Sequence, residues 1–259
     1  MPLPIRLAAL AALTVVLGCA PAVAQRPAAR PAAARTAVTR AAAPAVPAVP
    51  AETSLYEIVT PKGRLVVRLF DDTPLHRDNF RRRAADGLYD STLFHRVIAG
   101  FMAQGGDPNT RDDDPANDGL DSPGATVPAE IGRPHLRGAL AAARQGDGVN
   151  PARASSPSQF YLVQGRSFGP RELPNVQGTV RMMTPDPTFT YTPEVAALYE
   201  AQGGAPFLDG QYTVFGEIVE GLGVLDAIAA VPTRGERPAE ALWMVVRPLA
   251  PDYAPPVAP

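Results

Sequence analysis

Eight short segments separated by turn or loop sequence constrain the fold of this chain more than any other feature. They are residues 56–60, 64–70, 92–97, 101–105, 138–143, 159–163, 213–218 and 242–247. Segments this short, bounded by turn residues, are typical of β-strands. Pro61, Lys62 and Gly63 stand between the first two segments and predict a β-hairpin there.

Two helices are predicted beside these strands. Thr73 and Pro74 offer a capping residue followed by proline at the first helical position, and Gly87 is placed to end that helix. A second helix fits residues 223–230. Many short strands with two helices are typical of a closed antiparallel barrel whose ends are covered by the helices. The predicted fold class is therefore mainly β.

The first helix is expected to pack on the barrel with one apolar face. Leu75, Phe80 and Ala84 are its expected core contacts. His76 is expected on the exposed face of the helix.

Residues 94–107 read FHRVIAGFMAQGGD and form the main chemical motif of the chain. Arg96 precedes an apolar pair, Phe101 and Met102, and the amide of Gln104 follows. An arginine beside a small apolar pocket suits a reaction that needs neither a nucleophile nor a metal.

This motif resembles the signature of the cyclophilins, a family of peptidyl-prolyl cis-trans isomerases. Four further segments resemble cyclophilin blocks and occur in the family's order, from about Leu55 to Val246. They are TPLHRDNF at 73–80, GALAAAR at 138–144, SPSQFYLV at 156–163 and FLDGQYTVFGEI at 207–218. The resemblance implies an eight-stranded barrel with two helices and isomerisation of X-Pro bonds in proline-containing polypeptides, without a cofactor or metal.

The resemblance also implies a set of site residues. Arg96 would be the catalytic arginine, and Gln104 would hold the substrate backbone and orient Arg96. The proline pocket would be formed by Phe101, Met102, Tyr161, Leu208 and Tyr212. The groove for the residue before proline would be lined by Ala143, Arg144 and Gln159.

Three of these positions differ from the best-known cyclophilins. Phe207 stands where many members carry a tryptophan, Tyr212 replaces a histidine, and Arg144 replaces an asparagine that contacts substrate backbone. Phe207 and Tyr212 keep an aromatic wall, so isomerisation should survive. Phe207 lacks the indole N–H that supports cyclosporin binding, so weak inhibition by that drug is expected.

The first residues predict export. Arg6, an apolar run over residues 7–17 and small residues up to Ala24 are typical of a signal sequence. Two processing sites compete. Residues 16–19 resemble a bacterial lipobox, which would place a lipid on Cys19, and residues 22–24 form an A-x-A cleavage site. Both place the protein outside the cytoplasm, either in the periplasm or anchored to a membrane of the cell envelope.

Composition divides the rest of the chain. Residues 25–53 are rich in alanine and proline and lack aromatic residues, so they predict a disordered linker. Residues 54–250 are expected to form the isomerase domain, followed by a flexible tail over 251–259. The protein is expected to be a monomer.

An insertion of roughly forty residues, longer than an ordinary loop, lies at about 165–206. Thr192 and Pro193 predict the start of a helix within it, and Gly203 its end. Ala196, Ala197, Leu198 and Tyr199 are its expected packing residues. The insertion returns beside the predicted site, so it is either a wall over the substrate groove or a decoration packed elsewhere on the barrel.

Other classes of function find less support. A net charge of −2 without a sustained basic run argues against a nucleic-acid partner. The acidic stretch 107–121 fails as a calcium loop because Ala116 and Ala125 occupy required ligand positions. The three histidines of the chain fall in no metal or catalytic-triad signature, which argues against a hydrolase. The remaining alternative is a cyclophilin-like module that binds X-Pro peptides without catalysis, as a chaperone or scaffold.

Overall fold

The structure is a computed structural model that describes residues 54–120 and 122–255. The predicted export signal, Cys19 and the linker over 25–53 lie outside the described residues, as do Asp121 and the last four residues of the tail. No helix in the described ranges is long and apolar enough to cross a membrane.

A closed antiparallel barrel of eight strands dominates residues 54–120 and 122–255, as the sequence predicts. In barrel order the strands are β1 (Leu55–Thr60), β10 (Trp243–Pro248), β3 (Thr92–Ile98), β4 (Met102–Asp107), β6 (Phe160–Val163), β5 (Ala139–Ala142), β7 (Val214–Glu220) and β2 (Gly63–Leu69). The short strands β8 (Thr233–Arg234) and β9 (Arg237–Pro238) form a separate hairpin that the sequence patterns did not indicate. Each of the eight predicted strands is present, so the fold class is confirmed.

Period-2 alternation divides the side chains of the barrel strands between two apolar clusters. Val97, Ala103 and Leu162 belong to the inner core, whereas Met102 and Tyr161 belong to a second cluster on the outer face. Successive side chains of a strand point to opposite faces of the sheet. The same short strands therefore build the core and present residues to a surface site.

Helix α1 (Pro74–Ala85) adds an aromatic centre to the core through Phe80. The Phe80 ring lies 5.5 Å from the Tyr56 ring, 5.1 Å from Tyr89 and 5.7 Å from Phe160, measured between centroids. Burying one such ring stabilises a fold by about 1.5–3 kcal/mol. Helix α4 (Leu222–Ala229) adds Leu225 and Ile228 to the same core, so both predicted barrel helices are confirmed.

The start of α1 differs from its prediction in two ways. Thr73 makes no side-chain cap; instead, Glu130 accepts hydrogen bonds from the amides of Leu75 and His76, each at 3.0 Å. His76 is buried and Leu75 is exposed. His76 lies four residues before Phe80 and eight before Ala84, so helical geometry places all three on one face. The apolar residue type was a weaker guide than this spacing.

The insertion contains two helices, α2 (Leu173–Met183) and α3 (Pro193–Ala201). Only α3 was predicted, and its start is confirmed because the Thr192 hydroxyl accepts a hydrogen bond from the Val195 amide at 3.3 Å. Of its expected packing residues, Tyr199 is buried, whereas Ala197 is exposed.

The two ends of the insertion meet at its base. The amide of Gly204 donates to the carbonyl of Arg166 at 2.9 Å, and the amide of Arg166 donates back at 3.2 Å. A Cβ atom at Gly204 would lie 2.3 Å from the carbonyl oxygen of His135, and the φ of Gly204 is +152°. Glycine is therefore required where the insertion returns to the barrel.

Candidate functional site

A small cavity of about 110 Å³ lies on the outer face of the barrel. It is lined by Arg96, Phe101, Met102, Gln104, Ala143, Arg144, Tyr161, Leu208 and Tyr212. All nine residues were predicted for the site, and the structure brings them together from five separate stretches of chain.

Strand register explains how three of these side chains become neighbours. Arg96 of β3 pairs with Gln104 of β4, and Gln104 pairs in turn with Tyr161 of β6. Residues paired across neighbouring antiparallel strands lie on the same face of the sheet. The arginine, the amide and the aromatic ring therefore form one row across three strands.

Arg96 is hydrogen-bonded to a residue that the sequence motifs did not indicate. Its Nε–H donates to a carboxylate oxygen of Glu236 at 2.5 Å. The amide nitrogen of Gln104 instead donates to the side-chain oxygen of Gln159 at 3.0 Å. Within the described ranges, no hydrogen bond joins the Gln104 side chain to Arg96, and the expected role of Gln104 toward the substrate stays a prediction.

The aromatic residues take two different positions. Tyr161 and Tyr212 line the cavity, with their ring centroids 6.1 Å apart in an edge-to-face arrangement. Phe207 does not line this cavity; its ring lies 5.2 Å from that of Phe101 and the residue is 38% exposed. The structure therefore places Phe207 at the outer rim, where its ring packs on Phe101, which does line the cavity.

Arg144 is held as part of the wall. Its Nε–H donates to the carbonyl of Gln211 at 2.8 Å, and its Nη1 lies 2.6 Å from a carboxylate oxygen of Asp147. The guanidinium carbon lies 4.4 Å from the centre of the Tyr212 ring, a cation–π distance. Hydrogen bonds from Arg153 and then from Arg144 lower the pKa of Asp147, so this carboxylate stays charged beside the two guanidinium groups.

A second cavity of about 420 Å³ adjoins the first. Both cavities are lined by Gln104, Ala143 and Arg144, and the second is also lined by Gln159. Two loops supply most of the remaining wall, at residues 119–120 with 122–126 and at residues 154–157. The three groove residues of the prediction, Ala143, Arg144 and Gln159, therefore line the larger cavity.

A buried hydrogen-bond network supports the wall behind the small cavity. The Tyr161 hydroxyl lies 3.0 Å from Nε2 of His135, whose Nδ1 lies 2.8 Å from a carboxylate oxygen of Asp209. The hydroxyl of Tyr199 donates to the other oxygen of Asp209 at 2.6 Å. Burial raises the pKa of Tyr161 and of Tyr199, and the charge of Asp209 adds to the effect on both. Both phenols therefore keep their protons at neutral pH.

This network locates the insertion relative to the site. Its helix α3 reaches the wall only through Tyr199, and no residue of 165–206 lines either cavity in the described part of the chain. The insertion walls a separate cavity of about 370 Å³ with residues 131–134. The insertion therefore lines neither cavity, but it contacts the wall behind the small one through Tyr199 and Asp209. Neither alternative left by the sequence, a wall over the substrate groove or a decoration packed elsewhere on the barrel, describes this arrangement fully.

No group of three or more His, Cys, Asp or Glu side chains in the described ranges is arranged to hold a metal ion. The small cavity is lined by the guanidinium groups of Arg96 and Arg144, the amide of Gln104, the two tyrosines and four apolar side chains.

Comparison with known proteins assigns this chain to a protein family. Residues 55–247 match the family described as cyclophilin type peptidyl-prolyl cis-trans isomerase. The chain belongs to this family and is a cyclophilin-type peptidyl-prolyl cis-trans isomerase.

Similar proteins agree with the assignment. A Staphylococcus haemolyticus protein, named as a peptidyl-prolyl cis-trans isomerase, is 35% identical over 173 residues, which cover 66% of this chain and 77% of the relative. A Staphylococcus aureus protein with the same kind of name is 34% identical over 177 residues and is covered to 78%. A crystal structure of a Cryptosporidium parvum cyclophilin type isomerase has a TM-score of 0.54 at 23% identity and covers 76% of this chain and 98% of its own. That structural likeness concerns the fold.

Proposed function

We propose that this protein is an exported isomerase that accelerates cis-trans exchange at X-Pro bonds of envelope proteins, with Arg96 as its catalytic residue. The observation that carries the proposal is the small cavity in which Arg96 meets Phe101, Met102 and Tyr161. This cavity has a volume of about 110 Å³, and Met102 and Tyr161 are both buried in its wall.

The reaction sets a definite demand on this site. Rotation about a peptide bond is opposed by a barrier of ~18–20 kcal/mol, and an X-Pro bond isomerises in tens to hundreds of seconds without catalysis. Turnover in milliseconds requires roughly five powers of ten, or about 7 kcal/mol.

A twisted amide differs from a planar one in its charge distribution. Twisting removes amide resonance, makes the nitrogen pyramidal and leaves a lone pair on it. A dry apolar cavity penalises the more charge-separated planar amide. Met102 and Tyr161 supply that environment in the wall of the cavity.

Arg96 is proposed to act on the same change. A guanidinium fixed beside the proline ring donates to the substrate and stabilises the nitrogen lone pair as it develops. One charge-assisted hydrogen bond contributes about 1.5–3 kcal/mol, so it leaves most of the demand unmet. Desolvation and a rigid arrangement of substrate and wall supply the remainder in this proposal.

The larger cavity is proposed to receive the residues before proline. Gln104, Ala143 and Arg144 line both cavities, so a substrate chain that enters one can continue into the other. Because its guanidinium is held by Gln211, Asp147 and Tyr212, Arg144 acts as a wall rather than as a mobile donor. A related Cryptosporidium parvum structure was determined in the presence of the dipeptide Ala-Pro, which supports a proline-containing ligand for this fold.

The test is isomerisation of a proline tetrapeptide by the full chain, comparing wild type with Arg96→Ala. Arg68→Ala is the matched control, because Arg68 is also a barrel-strand arginine paired with a partly exposed glutamate, Glu217, but lines neither cavity. We expect Arg96→Ala to lose at least about 2 kcal/mol of transition-state stabilisation, roughly thirty-fold in kcat/KM. Arg68→Ala should stay within about two-fold of wild type.

Two outcomes would overturn the proposed site. Equal activity of Arg96→Ala and wild type would remove the catalytic role of Arg96. An inactive but folded wild type that still binds the peptide would favour the non-catalytic binding module.

Export and anchoring rest on the sequence of the first 24 residues. The apolar run with Arg6 before it supports export, and Cys19 at a lipobox position supports a lipid anchor. In this proposal residues 25–53 tether a monomeric domain to the envelope membrane. Mass spectrometry of the mature protein tests it: a lipidated Cys19 at the N-terminus supports the anchor, a start at Gln25 supports a soluble periplasmic form, and an unprocessed Met1 contradicts export.

A further inference from the structure

The partner of Arg96 lies on the hairpin of β8 and β9, far from the motif in sequence. Glu236 and Arg96 are 140 residues apart, and their side chains meet at 2.5 Å. The side chains are 40% and 54% exposed for Arg96 and Glu236, respectively. The contact joins the proposed catalytic group to an element that contributes nothing to the lining of either cavity.

The hairpin holds Glu236 in a fixed position relative to β3. The amide of Val97, the neighbour of Arg96, donates to the carbonyl of Glu236 at 2.7 Å. Arg237, which follows Glu236, is ion-paired with Asp118, whose side chain is buried. Gly235 has a φ of +66°, which lets the hairpin turn just before Glu236. Backbone and side chains therefore both tie the carboxylate to the strand that carries Arg96.

Glu236 contacts the Nε atom of the Arg96 guanidinium and not its Nη groups, and this determines what the contact can do. A guanidinium has five N–H donors in a planar fork. Glu236 binds Arg96 through Nε, which leaves the Nη groups for the cavity that Arg96 lines. An arginine side chain has four rotatable bonds, and a bond at Nε fixes the plane of the fork without occupying its end.

We propose that Glu236 is a positioning residue for the isomerase reaction, which fixes the guanidinium of Arg96 so that its Nη groups face the substrate. The inference rests on the proposed catalytic role of Arg96. It assigns to Glu236 the orienting role that the resemblance gave to Gln104, whose amide is bound to Gln159.

The charge of Glu236 has an opposing effect, and the geometry decides which effect dominates. A carboxylate beside Arg96 reduces the positive potential that the substrate meets. Both partners are partly exposed, however, so water and salt screen this Coulombic effect. Solvent does not screen the geometric effect of Glu236 on the guanidinium plane. In this proposal that effect therefore outweighs the reduction in positive potential at the substrate.

Two substitutions separate orientation from charge in the full chain. Glu236→Ala removes the acceptor and should lower kcat/KM for a proline tetrapeptide by about three- to ten-fold. Glu236→Gln keeps an acceptor oxygen without the charge and should stay within about two-fold of wild type. Glu217→Ala, which removes the partner of Arg68, is the control and should leave kcat/KM unchanged.

A double-mutant cycle and a spectroscopic readout distinguish positioning from a general structural effect. In an Arg96→Ala background, Glu236→Ala should have no further effect on kcat/KM. The Nε–H of Arg96, observed by nitrogen-15 NMR, should be protected from solvent exchange in wild type and in Glu236→Gln, and unprotected in Glu236→Ala.

The outcomes are separable from those of the proposed function. Wild-type activity of Glu236→Ala alongside a large loss in Arg96→Ala overturns the role of Glu236 and leaves that of Arg96 intact. An equal loss from Glu236→Ala with and without Arg96 also overturns it, because the effect would not pass through the guanidinium. Wild-type activity of Arg96→Ala removes the basis of both.

Discussion

Replacing Tyr199 by phenylalanine tests the buried network that joins the insertion to the site. The substitution removes one hydroxyl, which donates to Asp209 at 2.6 Å. Tyr199 is fully buried and the side chain of Asp209 is 4% exposed, so water does not replace the lost donor. The ring keeps its contacts with Phe168 and Tyr191, at 6.4 and 5.5 Å between centroids.

The magnitude follows from the type of acceptor. A hydrogen bond to a charged group contributes about 1.5–3 kcal/mol, whereas one between neutral groups contributes about 0.5–1.5 kcal/mol. Tyr191→Phe is the matched comparison: its hydroxyl donates to the neutral carbonyl of Pro206 at 2.9 Å, and burial and then nearby Asp209 raise its pKa. We expect the free energy of unfolding to fall by about 2 kcal/mol for Tyr199→Phe and by about 1 kcal/mol or less for Tyr191→Phe.

Urea denaturation followed by far-ultraviolet circular dichroism measures both variants. With a denaturant slope of roughly 2 kcal/mol per molar, Tyr199→Phe should lower the urea midpoint by about 1 M. Its kcat/KM should change little, because the backbone amide and Nδ1 of His135 still hold Asp209 at 2.8 Å. A loss below about 0.5 kcal/mol, or one equal to that of Tyr191→Phe, would refute the reasoning that a buried charged acceptor dominates here.

Three further predictions follow from particular contacts. Burial lowers the pKa of His76, so the stability that neutral His76 contributes is present above the unfolded pKa of about 6.5 and is lost as the pH falls below it. The urea midpoint should therefore fall less between pH 7.5 and 5.5 in His76→Gln than in wild type, and an equal fall in both proteins would contradict this. Gly204→Ala should destabilise the fold by more than about 1 kcal/mol, the cost of a strained backbone position, because its Cβ would lie 2.3 Å from the His135 carbonyl oxygen. Gly223→Ala is the control, because the structure has open space around that Cβ, and equal stability of the two variants would disprove the steric argument. Cyclosporin should inhibit poorly because Phe207 offers no N–H donor; inhibition at nanomolar drug would reject this expectation, and Phe207→Trp should strengthen inhibition.

The fold was accessible from sequence because its elements are encoded locally. Alternation within β4 places Met102 and Gln104 on one face, and short turn-bounded segments predicted all eight barrel strands. The helix α2 was missed because Glu172 before it is not a preferred capping residue and makes no side-chain cap, and because Gly178 weakens the helical signal of its interior. The face of α1 was assigned by residue type, and spacing from Phe80 would have placed His76 correctly.

For the candidate site, too, the residues that are close in sequence were predicted and the contacts that depend on tertiary structure were not. Recurring motifs grouped Arg96, Phe101, Met102 and Gln104, which are close in the chain. Motifs did not predict that Phe207 lies at the rim, because its place depends on how the turn at residues 206–208 sits against Phe101. They also assigned Gln104 to Arg96, although Gln159 competes for its amide in the folded protein.

The sequence by itself determined the barrel, the family and the residues that meet in the small cavity, since strand period and motif order are properties of neighbouring positions. Tertiary structure alone decided which groups hold them in place. Glu236 reaches Arg96 across 140 residues, Glu130 binds His76 across 54, and Asp209 joins His135 across 74. Such pairs leave no periodic or local signal, because their members become neighbours only when the barrel closes and its hairpin and insertion fold against it.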